Sequence, residues 1–178
     1  MVQNDTEKLN NMLDALEHYE ALYVIRRITK DNDALIKKTI KIVEGLLSDV
    51  VPEEVAEDLY YELNSIDVED LWNSSGKTRY GYVDPDEKAW EMFVEVVEPF
   101  MDKMKKSNEL NMPLAAKNYC LGILQGLRKY SNCATSEFAD WVVDVPYDYM
   151  DTVLIEWKKG NPTQEDLEEV ESQLGQQG

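Results

Sequence analysis

One histidine, two cysteines and no apolar run near the ~20 residues of a membrane span are what this 178-residue chain has least of. Each scarcity removes a class of function. A histidine-based catalytic triad would have to use His18, and no nucleophile motif stands near it; His18 reads as an exposed or partly packed helix residue. Cys120 and Cys133 are too few for a disulfide scaffold of a secreted domain. Together with His18 they fall one short of the four ligands a structural zinc site takes. Glycine numbers only 8, and neither a phosphate-cradling loop nor a dinucleotide fingerprint is present. Basic residues are half as many as acidic ones, 18 against 36, for a net charge of −18. A phosphate backbone would repel such a chain, which excludes unaided DNA or RNA binding. Anionic membrane surfaces are disfavoured for the same reason, and a basic partner is favoured. The N-terminus is polar and acidic through Asn11 with no secretory signal, so the expected location is cytoplasmic.

What remains is a chain with 43% hydrophobic residues, enough for a sizeable core, arranged almost wholly at helical spacing. Leu9, Met12, Leu13, Leu16 and Tyr23 share one face of a first helix, opened by Asn4 with Glu7 reaching back. Ile36, Ile40, Val43 and Leu47 point inward from a second, where Gly45 would permit a close neighbour. Pro52, Pro85, Pro113 and Pro146 each open a further helix, a position where the missing N–H costs nothing. Asp84 caps the second of these ahead of two first-turn acids. Pro99 should kink that helix. Asp67 and Ser136 cap short helices. Residues 161–178 form an acidic C-terminal helix and frayed tail with a thin stripe of Leu167, Val170 and Leu174. No strand is expected.

Pro52-Glu53-Glu54-Val55-Ala56 returns as Pro85-Asp86-Glu87-Lys88-Ala89, 33 residues later, and Pro113 and Pro146 repeat that interval. Such spacing marks stacked helical hairpins, although proline followed by acids is also a generic helix start. The expectation is a single all-α domain over residues 1–160, either antiparallel helical hairpins stacked as a TPR/HEAT-like array or an irregular helical bundle.

Two places carry candidate function. Trp72, Lys77, Arg79, Tyr80 and Tyr82 gather cations and aromatics in one irregular stretch, the usual ingredients of a recognition hot spot. The same residues would suit a structural plug, with Arg79 tied to helix acids and Tyr80 and Tyr82 filling a core gap. Glu87, Glu91, Glu95 and Glu98 line one helix face, either solvated or a docking face for a basic segment. Facing carboxylates can also hold metals, but the Glu-x-x-His pairs of the familiar arrangement are absent. Gly122 and Gly126 would let two helices approach closely.

The stretch Asp70-Leu71-Trp72, Ser75 to Val83 and Ala89-Trp90-Glu91, with Tyr119 to Leu124 and Gly126-Leu127, resembles uncharacterised prokaryotic α-helical repeat-like proteins. Similar segments accompany a SWIM-type zinc finger in larger chains. The ligands of that finger do not exist here, so the resemblance implies a helical fold and carries no zinc, nucleic acid or activity. Sequence alone thus leads to a cytoplasmic protein–protein interaction or scaffold module with no cofactor or metal, a basic protein partner and possible homo-oligomerisation through the 72–83 loop. The alternative is a carboxylate-based metal-binding protein or enzyme of unknown reaction.

Overall fold

The computed structural model describes residues 2–79 and 81–175. It is all-α, with nine α-helices and one two-stranded sheet among those residues. The helices fall into two units that divide between Leu46 and Leu47.

The first unit holds α1 (Val2–Asp14), α2 (His18–Thr29) and most of α3 (Asp33–Ser48). The expected first helix is two: the chain breaks at Ala15–Glu17, and α1 already begins at Val2, upstream of Asn4. Glu17 starts α2 through a reciprocal capping box with Glu20, whose carboxylate accepts from the Glu17 amide at 3.0 Å. The reach of Glu20 back to an orphan donor is what makes a glutamate serve where a shorter cap is usual. Asp31, at φ 60°, turns the chain, and Asn32 caps α3 by accepting from the Leu35 amide at 3.1 Å. Neither α2 nor α3 contains a buried residue. Ile36, Ile40 and Val43, expected inward, are exposed, because a short segment of amphipathic helices has no opposing layer of its own deep enough to cover them. No atom lies within 4 Å of where a Gly45 side chain would begin, so the expected close approach there does not occur.

The second unit has an apolar core. Its elements are α4 (Pro52–Asn64), α5 (Val68–Ser74), β1 (Gly76–Thr78), β2 (Gly81–Val83), α6 (Pro85–Glu109), α7 (Pro113–Cys133), a 3-10 turn (Glu137–Trp141), α8 (Val145–Lys158) and α9 (Gln164–Gly175). All four prolines stand in first turns. Asp67 and Asp84 cap as expected, accepting from Glu69 and Asp86 amides at 2.8 and 2.9 Å. Ser136 makes no side-chain cap to the 3-10 turn; the Thr135 and Ser136 amides just before it donate to the Asn64 side-chain oxygen of α4 at 2.8 and 3.2 Å. The helix of α6 continues through Pro99, with Val97 and Met101 buried on either side of it.

Helix α7 is the centre. It packs against α4, α6, α8 and α9, and Ala116, Cys120, Ile123, Leu127 and Tyr130 are buried along it. Its two glycines form the contact with α4. A side chain at Gly122 would begin 2.5 Å from Val55 Cβ and 2.7 Å from the Pro52 carbonyl, and one at Gly126 would begin 3.0 Å from the Ala56 carbonyl. Lys129 joins the same helices by pairing with Glu57 at 2.6 Å, its ammonium 4.4 Å from the Tyr60 ring centre. The C-terminal helix is more than a frayed stripe: Val170 is buried in the core, and Lys117 of α7 pairs with Asp166 at 2.8 Å and Glu169 at 2.7 Å.

Candidate functional site: an aromatic and acidic groove between α6 and α8

The stretch expected to be irregular is a small hairpin. β1 and β2 pair antiparallel with Gly76 opposite Val83 and Lys77 opposite Tyr82. Gly76 and Gly81 sit at φ 77° and 138°, conformations that side-chain-bearing residues rarely adopt. Lys77, Arg79 and Tyr82 are exposed, Tyr82 by 72%, so neither Arg79 nor Tyr82 fills a core gap. Tyr80 lies outside the described residues. Trp72 stands apart in role: half-exposed on α5, it meets Trp141 of the 3-10 turn edge-to-face at 4.8 Å.

The four glutamates of α6 do not behave alike. Glu87, Glu91 and Glu95 are exposed, and Glu91 pairs with Lys88 at 3.0 Å. Glu98 is drawn inward. Lys105 donates to it at 2.5 Å and the Tyr149 hydroxyl of α8 donates at 3.4 Å. The hydrogen bond to Glu98 raises the Lys105 pKa above its ordinary value, keeping the ammonium charged. Burial, followed by the Glu98 charge, raises the Tyr149 pKa and keeps the phenol protonated.

Tyr149 thereby becomes the fixed wall of a groove of about 390 Å³ lined by Trp90, Val94, Val145, Asp148, Tyr149 and Thr152. The ring of Tyr149 rests edge-on against buried Phe93 at 5.6 Å, and half-exposed Trp90 stands on the α6 side. Glu87 lies one helical turn before Trp90, and Glu98 one turn after Val94. Two aromatic faces with carboxylates at their margins suit a cation, through ring electrons and charge together. Asp148 and Tyr149 were not picked out by sequence reasoning, since they follow a helix-opening proline 52 residues beyond Val94. The available signal was the interleaving of Trp90 with the acidic stripe.

The remaining chemical candidates stay apart. Cys120 is buried and its thiol is pushed up to about 12 by desolvation, which removes it as a nucleophile. Cys133 is exposed and free. Among the described residues no three His, Cys, Asp or Glu side chains are grouped so as to hold a metal ion, and no helix is long and apolar enough to cross a membrane. No family model, curated protein or solved structure matches the chain.

Proposed function

We propose that the chain is a protein-interaction module that receives a basic segment of a partner in the groove between α6 and α8. The observation that supports this most is the lining itself: Trp90 and Tyr149 beside Asp148, in a unit whose sequence from Leu47 onward carries 28 acidic and 11 basic residues. A lysine or arginine side chain entering there would lie against aromatic rings with Asp148 in reach, while the surrounding field speeds its approach. The groove is preorganised because Glu98 and Phe93 hold Tyr149 in place. Two free thiols accord with a reducing, cytoplasmic setting.

The test is selection of peptides from a randomised library on the full chain, followed by titration of the enriched sequences. Lysine- or arginine-containing peptides should emerge. Their affinity should fall about tenfold in Trp90→Ala and in Asp148→Asn, and should weaken with salt. Enrichment without basic residues, or a loss that follows Tyr82→Ala and leaves Trp90→Ala unaffected, would move the site to the hairpin or remove it.

A further inference from the structure

We infer that the first unit is a self-association module: α1 to α3 of one chain pair with the same helices of a second copy. Thirteen large apolar side chains between Leu9 and Leu46 are 38–74% exposed. At roughly 100–150 Å² for a whole side chain they present on the order of 700–1,000 Å². Summed over the three helices, that area reaches the ~800 Å² per partner of a stable interface. Seven of the thirteen follow helical spacing within their own helices. Leu9 and Leu13 on α1, Ile25 and Ile28 on α2, and Ile36, Ile40 and Val43 on α3 recur at three- and four-residue steps, the spacing by which helices seat against helices.

The charges say what covers this face. Up to Glu20 the unit carries Asp5, Glu7, Asp14, Glu17 and Glu20 against the single Lys8. From Ala21 to Leu46 it carries Arg26, Arg27, Lys30, Lys37, Lys38 and Lys41 against three acids. The six cations are exposed, and among the described residues none is in an ion pair. A unit acidic at one end and basic at the other is complementary to itself in reversed orientation. In a two-fold pair, residue i meets j and j meets i, so each acidic end lies against a basic end twice over. Residues 1–46 sum to −1, with 7 basic against 8 acidic, whereas residues 47–178 sum to −17. Two copies therefore repel least through the first unit.

Sedimentation of the full chain over a range of concentrations should show a reversible dimer. Lys37→Glu, Lys38→Glu and Lys41→Glu combined should weaken it at least about tenfold. So should Asp5→Lys, Glu7→Lys and Asp14→Lys combined. An equimolar mixture of the two variants should form a heterodimer as tight as the parent, a rescue that simple misfolding of either variant cannot produce. A chain that remains monomeric throughout, its apolar face serving its own second unit or another protein, would overturn the proposal. So would a dimer that both charge variants leave intact.

Discussion

The two units are both helical and both amphipathic, yet they use their apolar residues in opposite ways. From Leu47 onward, Phe93, Leu59, Leu63, Ile123, Leu127 and Trp157 converge on α7 and are almost wholly removed from water. Before it, α2 and α3 bury nothing. Amphipathic spacing is therefore a statement about a helix's needs and says little about where they are met. The second unit meets them internally because two glycines on α7 admit α4 at backbone distance, and helices at that range interleave their side chains. The first unit has a glycine too, but nothing approaches Gly45.

The sharpest way to break this comparison is to delete one apolar side chain from each unit. Phe93→Ala should cost about 3–5 kcal/mol, since it removes a fully buried ring and leaves a cavity that Tyr149 and the α6 backbone fill only in part. Ile40→Ala should cost less than about 1 kcal/mol in dilute protein, where a half-exposed side chain gives up little burial. Chemical denaturation of both variants decides the matter. Equal losses would mean that the first unit has a hidden core, and the contrast between the units would fail.

A second, smaller effect separates interior packing from its electrostatic fastening. Lys117 holds α9 against α7 through Asp166 and Glu169. The hydrogen bond from Lys117, followed by that from Thr163, lowers the Asp166 pKa from its ordinary 3.8. A depressed carboxyl contributes stability above its unfolded value and loses it as pH falls through the folded one. Bonds to Asp166 and Glu169 raise the Lys117 pKa above its ordinary 10.5, so its share is present below that value and lost as pH climbs beyond it. Amide exchange in α9 should accelerate below about pH 4 and above about pH 10.5 while α7 stays protected. Lys117→Met should reproduce the loosening at neutral pH at a cost of about 1 kcal/mol. Uniform exchange across both helices in acid would show that the Lys117 bridge is not what fastens α9.

How far the sequence carried these features depends on their range. Helix starts were legible because proline and a capping acid act on their own first turn: Pro52, Pro85, Pro113, Pro146, Asp67 and Asp84 all fall where local rules put them. The break before α2 was missed because Glu17 is not a common cap and depends on Glu20 to serve as one. Ser136 makes no cap, and the bond that fastens the chain after α7 was out of local reach because Asn64, which accepts it, is 71 residues away from Thr135. The hairpin went unseen because its strands are three residues long and no Asn-Gly turn announces it. The groove needed Trp90 and Tyr149 to line one cavity from two helices, a relation that no single-helix pattern contains. The glutamate face was visible as a stripe, but the inward turn of Glu98 depends on Lys105 and Tyr149.

The smallest expected effect lies at the hairpin, where the two uses of apolar surface meet in miniature. Tyr82 is exposed although it stands in a short, regularly paired sheet, and Arg79 is exposed in the turn after β1. A side chain that buries little and caps nothing in the fold contributes little to stability. Arg79→Ala combined with Tyr82→Ala should therefore shift the unfolding free energy by no more than about 0.5 kcal/mol. Lys77 faces Tyr82 across the strands, and a cross-strand pair of that kind is worth only about 0.2–1 kcal/mol. A loss above that range would mean that the hairpin is fastened to the second unit as firmly as α9 is. Its exposed tyrosine would then be a structural strut.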